Sequence, residues 1–295
     1  MENIKYSFAE PYSSLQNAAI PTLVESFDEW KMFTEKYGFT FPFYEASFVA
    51  IDKNTNKVIA HAGIMPFTIR NSNNETLKVA GLASVATSCN YRKKGIAAKL
   101  CSYAKDWALE HNFDLMALYT AFFRVYESCN WNIYNTSYKI YKNPAFNGII
   151  PQGLAGFQLT EEQKAIIKTA YNKETPFTGL VTRNNGDYFH DWDRLFRESF
   201  CTWYIKNDSY ILIIEDVIAE AAGNEEDLIE LAQNFASSFT SPNAKITKLL
   251  AQNNWTYEDA EESKLPFWHG ERAMTLPLNN KGKEANLFFS LSDKF

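Results

Sequence analysis

The sequence is short of the residues that build metal centres and crosslinks, with 4 cysteines and 4 histidines in 295 residues. Cys89, Cys101, Cys129 and Cys201 are scattered, with no Cys-x-x-Cys pair and no paired His/Cys spacing. That pattern excludes a zinc site or a disulfide framework as the organising principle. The cysteines are expected to act as small buried hydrophobes, with no metal bound. Long apolar runs are missing too, since no stretch approaches the ~20 residues of a membrane-spanning helix. The start, Met1-Glu-Asn-Ile-Lys, lacks the basic-then-apolar form of a signal peptide. A soluble, cytoplasmic protein without membrane contact is therefore expected.

Lysine and arginine are evenly spread, but in one half they are outnumbered by carboxylates. Residues 1–150 hold 15 Lys and Arg against 13 Asp and Glu, while the remainder holds 14 against 22, for an overall net charge of −6. An acidic second half argues against a nucleic-acid partner, because phosphate contacts supply most nonspecific affinity. A cationic substrate suits it better. With 46% hydrophobic and 16% aromatic residues the chain can build large cores, and its length favours two domains over one.

The most informative stretch runs from Val79 to Leu100. Apolar and small residues over 77–85 read as a buried strand, and Ile96, Leu100, Tyr103, Trp107 and Ala108 then recur at helical spacing. Between the two periods lies Arg92-Lys-Lys-Gly95-Ile-Ala97. At such a turn the first helical amides have no intrahelical partner and the positive end of the helix points outward, beside three cationic side chains. This is the arrangement that seats a pyrophosphate. Gly95 lets the backbone approach an anion, and Ala97 and Ala98 keep the first turn thin.

Arg92-x-x-Gly95-x-Ala97 after a strand resembles the acetyl-CoA signature of the GNAT superfamily of N-acetyltransferases. A second piece follows: a strand over 115–121, a helix over 122–130, and Tyr126-x-x-x-Asn130-Trp131, similar to the family's Tyr-x-x-x-Gly-Phe/Trp. Asn130 stands in the glycine's place, and asparagine tolerates a left-handed helix cap. The order of expected elements also fits that family: a strand at 4–8, a helix over 23–37, a hairpin of 47–52 with 57–65 continuing to 70, the cofactor strand and helix, and a strand over 132–141. The resemblance implies an α/β (α+β) fold with a mixed central sheet flanked by helices. It also implies a ligand cleft where two parallel strands, ending near Val85 and Tyr119, splay apart. Backbone groups of Val85, Ala86 and Thr87 would pair with the pantetheine arm as a strand does. Arg92, Lys93, Lys94, Gly95, Ile96 and Ala97 would hold the diphosphate end of acetyl-CoA.

Residues 143–160, with Pro144, Gly148, Pro151, Gly153 and Gly156, read as a linker. Beyond it the outline repeats, with helices expected over 160–171, within 187–200 and from a cap at Asn224, and strands over 178–183, 203–206, 210–222 and 273–278. Lys248 to Trp255 resembles Tyr126 to Trp131. Where the first copy has its basic turn, the second has Ala222-Gly-Asn-Glu-Glu-Asp, acid where a pyrophosphate needs a cation. The expectation is thus a tandem GNAT arrangement, with a catalytic domain at 1–145 and a degenerate copy at 146–295 that shapes the substrate cleft.

The tandem layout and Tyr119-Thr-Ala-Phe-Phe-Arg-Val-Tyr126 resemble the enhanced-intracellular-survival type of aminoglycoside and lysine N-acetyltransferases, without that family's third, sterol-carrier-like domain. The resemblance implies that Tyr126 is the general acid and that the C-terminal carboxylate, here on Phe295, reaches back to the site. The implied activity is acetyl transfer from acetyl-CoA to a primary amine, with the Val85 amide as oxyanion donor. The cofactor strand offers no carboxylate between Gly81 and Val85, so His61, Glu127, His269, the C-terminal carboxylate or a water chain remain as the base. Two other functional classes stay open, a non-catalytic acyl-CoA-binding module and a tRNA-dependent aminoacyl transferase. The acceptor and the oligomeric state are left undetermined.

Overall fold

The structure is a computed structural model that describes residues 3–28, 44–70, 75–134, 137–144, 146, 152–173, 180–183, 192–197, 201–214, 217–235, 237–240, 244–261 and 271–285. Runs rich in Val, Ile, Ala and Phe near the N-terminus form β1 (Ile4–Ala9), β2 (Ala46–Asp52), β3 (Lys57–Arg70) and β4 (Thr76–Thr87), each antiparallel to the next. Pro66 does not break β3, because β2 stops opposite Ile64 and leaves that edge of β3 with no ladder bond to lose. Two short helices, α1 (Ser14–Asn17) and α2 (Ile20–Ser26), cover one face of the sheet. Of the helix expected over 23–37, residues 23–26 form the end of α2 and Phe27, extended, interrupts it; 29–37 lie outside the described residues.

On the opposite face lies α3 (Ile96–Glu110), which buries Ile96, Leu100, Cys101, Ala104 and Ala108. These sit at the one-face spacing of an amphipathic helix, and Tyr103 and Trp107 flank them partly buried. β5 (Leu115–Thr120), α4 (Phe123–Glu127) and β6 (Asn132–Ile133) complete this half.

The second half comprises β7 (Ser137–Lys142), β8 (Leu154–Ala155), α5 (Glu161–Lys173), β9 (Leu180–Val181), α6 (Trp192–Arg197), β10 (Cys201–Lys206) and β11 (Ser209–Ile214). There follow β12 (Val217–Ala222), α7 (Glu225–Ala232), β13 (Ser237–Thr240), α8 (Ala244–Gln252), β14 (Thr256–Glu261), β15 (Arg272–Pro277) and α9 (Asn280–Lys283). One sheet has the order β1-β2-β3-β4-β5-β15-β6, with β9 paired to β3, and the other, read from the opposite end, β8-β10-β11-β12-β13-β7-β14. The two lists correspond position by position, in strand direction as well as in order. β4 with β5 and β12 with β13 are the parallel pairs, and the other neighbours in both lists are antiparallel. The repeat expected from Lys248 to Trp255 thus extends through the whole second sheet.

The sheets do not follow the expected cut at 145/146. β7 precedes it yet lies in the second sheet between β13 and β14, while β15, from the far end of the chain, lies in the first sheet between β5 and β6. The two halves exchange equivalent strands. The single strand expected over 132–141 is therefore two strands in different sheets, and the strand expected to close the second copy closes the first. Neither rearrangement is visible in hydrophobic periodicity, which fixes a strand's faces but not its neighbours.

Each sheet is packed on both faces. Ile59, Leu82, Leu100 and Met274 lie in the core beneath α3, and Val49, Met65 and Leu23 in that beneath α2. In the second sheet Trp203, Tyr210 and Leu212 face α5 and α6, whereas Ile211 and Ile218 pack with Leu228 of α7 and Leu250 of α8. Tyr119 packs against cores of both halves. Because β15 buries Ala273 and Met274 completely in the interior of the first sheet, residues 1–145 expressed alone are expected to show no cooperative thermal transition by circular dichroism. Coexpression with residues 146–295 should restore it.

Candidate active site

The parallel ladder between β4 and β5 consists of Val79–Leu115, Ala80–Met116 and Gly81–Ala117, and goes no further. β4 continues to Thr87 and β5 to Thr120, so the two strands part, as the sequence implied for the ends near Val85 and Tyr119. The parting coincides with a bulge. Pairing with β3 steps from His61–Ala86 to Gly63–Ala83, which leaves Ser84 and Val85 opposite Ala62 alone. Ser84 takes the left-handed region at φ +49, a conformation costing a non-glycine residue on the order of 1 kcal/mol or more. A bulge of this kind bends its strand and increases its twist.

Beyond Thr87 the chain makes a short 3-10 turn, Cys89–Tyr91, and then reaches the basic turn. Lys93 and Gly95 both have positive φ, +62 and +73, and Gly95 is the N-cap of α3. A Cβ on Gly95 would meet nothing within 4 Å, so glycine serves here for its backbone freedom, and the space above it is open. The first intrahelical bond runs from Lys99 N to Gly95 O. The amides of Ile96, Ala97 and Ala98 precede it at the positive helix end. Arg92, Lys93 and Lys94 are exposed beside them.

Several contacts fix this turn. Arg92 Nε donates to Thr87 O at 2.9 Å, and Lys94 Nζ lies 5.0 Å from the centre of the Tyr91 ring. The Tyr91 hydroxyl donates to Asp52 at 2.5 Å. From α2, Glu25 accepts from the Cys89 amide at 2.7 Å and from the Ser88 hydroxyl at 2.8 Å. These bonds, that of the Cys89 amide foremost, hold the Glu25 carboxyl below its usual range. At the end of β4 the Thr87 hydroxyl is buried with no hydrogen-bond partner among the described residues.

Tyr126 lies on α4, just after the parted end of β5, buried among Leu100, Cys101 and Trp131 with its ring edge-on to Trp131 at 6.0 Å. Burial, reinforced by Cys101 and Cys129, pushes its phenol well above the ordinary range, so it stays protonated. Asn130 has φ +65 and the Trp131 amide donates to Tyr126 O at 3.2 Å, the left-handed cap expected from the motif. The second copy ends α8 in the same way, with Asn254 at φ +64 and Trp255 N bonded to Leu250 O. Leu250 therefore occupies the place of Tyr126, without a hydroxyl. At its other helix, the Asn224 side chain accepts from Glu226 N, and the Asp227 carboxylate accepts from Asn207 and Ser209. Where the first copy has its basic turn, the second thus has an asparagine cap and an acidic first turn, Glu225, Glu226 and Asp227.

Of the residues considered for a base, Glu127 is exposed on α4, and His269 and Phe295 lie outside the described residues. His61 is ruled out as a base facing an amine: it is fully buried below the bulge, with Nδ1 2.9 Å from Ser84 O and Nε2 3.0 Å from Ser47 Oγ. Sequence reasoning missed its partners Gln16, Ser47 and Tyr44, none of which belongs to a motif.

Comparison with known proteins follows the same geometry. The family model for the acetyltransferase (GNAT) domain matches residues 2–134. Residues 2–134 are a GNAT acetyltransferase domain. Among solved structures, a GCN5-related N-acetyltransferase from Kribbella flavida is 14% identical at TM-score 0.61, with 95% of this chain and 73% of that one covered. One from Anabaena variabilis is 15% identical at TM-score 0.61, covering 93% and 73%. Eis1 from Mycobacterium abscessus is 11% identical at TM-score 0.60, also covering 93% and 73%. These likenesses extend the shared fold over nearly the whole chain, beyond the GNAT domain itself. No curated protein matches the chain.

Burial pushes the His61 imidazole down to about 4, with its bond to Ser84 opposing the shift. The folded state thus binds fewer protons than an unfolded chain whose histidine titrates near ~6.5. Stability should be full above that pH and fall as pH drops through about 4, by about 3 kcal/mol in all. Urea unfolding measured from pH 7 to pH 4 is expected to show this slope in the wild type and to lose it in His61→Asn.

Proposed function

We propose that this chain transfers an acetyl group from acetyl-CoA to a primary amine carried by a small cationic molecule or a lysine. The observation that carries the reading is the parted β4/β5 pair running into a turn with two positive-φ residues and an open helix end. Arg92, Lys93 and Lys94 supply charge, and the amides of Ile96 and Ala97 supply donors, for a diphosphate. Along Val85, Ala86 and Thr87 of β4 the pantetheine arm takes the place of the missing strand partner, and the unpartnered Thr87 hydroxyl adds a polar contact. The fit rests on the exposed cations, the open space at Gly95 and the unpartnered Thr87 hydroxyl.

The thioester supplies an activated acetyl group; the protein's task is to place the amine and manage charge. The Val85 amide stabilises the negative charge that develops on the carbonyl oxygen during attack, where one preorganised donor is worth roughly 100-fold or more in rate. Tyr126, kept protonated by burial, donates its proton to the departing sulfur, and the proton that the amine nitrogen gives up on forming the amide restores the phenol. A thiol of pKa ~8.5 benefits from that proton at neutral pH. The acidic second half draws a cationic acceptor towards the cleft.

Two variants test the reading. Tyr126→Phe keeps the packing against Trp131 and removes only the hydroxyl. In a thiol-release assay with acetyl-CoA and a panel of aminoglycosides, polyamines and lysine peptides, it should lower kcat by at least about tenfold, and unchanged turnover would remove Tyr126 from the chemistry. Gly95→Ala forces a side chain onto φ +73. It should weaken acetyl-CoA binding several-fold by calorimetry, at a stability cost of about 1 kcal/mol.

A further inference from the structure

Ser84 and Val85 share one peptide unit, and in a trans peptide the carbonyl and the following N–H point in opposite directions. Whatever holds the Ser84 carbonyl therefore also sets where the Val85 N–H points. What holds it is His61. A carbonyl can only accept, so the proton at the 2.9 Å contact belongs to His61 Nδ1. Nε2 is then the acceptor, and the Ser47 hydroxyl donates to it at 3.0 Å. Ser47 Oγ in turn accepts from Gln16 Nε2 at 3.0 Å, and Gln16 Oε1 accepts from the Tyr12 amide at 2.9 Å. The chain of donors runs one way, from α1 through β2 and β3 to the bulge in β4. Gln16, Ser47 and His61 are each fully buried, so no water competes for these bonds.

A second contact grips the same residue. Ser84 Oγ lies 2.5 Å from the hydroxyl of Tyr44, itself buried, whose ring stands 5.3 Å from that of His61. The ring fits only because residue 63 is glycine, since a Cβ there would lie 2.5 Å from it. Together the two contacts explain how a serine is kept at φ +49.

The second copy supplies an internal control. Its β11–β12 pairing also bulges, stepping from Leu212–Glu220 to Ile213–Ile218 around Ala219. There Leu212 takes the place of His61, and Ala219 keeps a negative φ. A bulge alone thus needs no histidine. The polar network occurs with the left-handed residue, in the copy that also has the basic turn.

We infer that His61 is a positioning residue for acyl transfer: by holding the Ser84 carbonyl from below, it aims the Val85 N–H at the oxygen on which charge develops. This rests on the acyl-transfer reading above. A hydrogen bond on the carbonyl also polarises the peptide unit and strengthens its N–H as a donor.

The test pairs two substitutions that resemble different halves of the imidazole. His61→Asn retains a donor near the Nδ1 position, and His61→Gln retains a polar group near Nε2 without it. With acetyl-CoA and the best amine of the panel, kcat should fall about tenfold or more in His61→Gln and within about threefold in His61→Asn, with KM for acetyl-CoA unchanged in both. Equal losses of kcat, or losses confined to KM, overturn the inference. Imidazole 15N shifts of the wild type should report a neutral Nδ1–H tautomer, and the Val85 amide shift should move in His61→Gln but not in His61→Asn. An Nε2–H tautomer, or an amide that moves alike in both, overturns it whether or not turnover is seen. A wild type that releases no thiol with any amine counts against the acyl-transfer reading, while these shifts still decide the role of His61.

Discussion

The structure depends on one interruption, the end of pairing between β4 and β5 after Gly81 and Ala117. Backbone groups inside a sheet are costly to leave unpaired, so a sheet whose parallel strands part in its middle has given up bonds that something else must replace. The elements around the gap account for how it stays open. The bulge at Ser84 and Val85 bends β4, Thr87 ends it, and the Arg92 guanidinium returns to the Thr87 carbonyl. The turn after it spends two left-handed residues to point the α3 amides at the space that opens. An extended ligand with amides along its length and an anion at its end satisfies both halves of that arrangement at once.

The second sheet shows which parts of the plan are architecture and which are chemistry. It keeps the strand order, the parallel pair, the bulge and even the left-handed asparagine before a tryptophan. It lacks the groups for which the fold has no need: the cationic turn, the phenol at the Tyr126 position and the polar support under the bulge. In their place stand Asp227, Leu250 and Leu212. Its own buried polar group has a different use, for Glu220 pairs with Arg183 and accepts from Tyr210. Arg183 in turn lies over the rings of Tyr171 and Trp192. Arg183 follows β9, which is paired with β3 of the other sheet, so this ion pair lies at the junction of the halves.

Local features were legible in the sequence because they are set by local physics. The strand into Arg92-x-x-Gly95-x-Ala97, the cap at Asn224 and the left-handed Asn130 each follow from a few neighbouring residues, and each lies where expected. What sequence could not give is partnership over distance. Strand periodicity is the same whether β15 closes its own sheet or the other one, and a lone His61 reads as a core residue or a base until Ser47, Gln16 and Ser84 are seen around it. Sequence reasoning kept His61 as a candidate base when its two nitrogens were already committed.

The strand exchange also changes how the second half can influence the reaction. A docked domain reaches a cleft through a surface, and that contact can loosen independently of the cleft. Here β15 is hydrogen-bonded along β5 itself, antiparallel, so its first residue, Arg272, is opposite Thr120 at the parted end. The Arg272 guanidinium lies 5.8 Å from the ring of Phe123, on the helix that carries Tyr126. Cores pack tightly and respond as units, so a shift in the segment leading into β15 is felt by β5 and α4 without crossing an interface. A strand from the acidic half and the strand that leads to Tyr126 thus share one sheet.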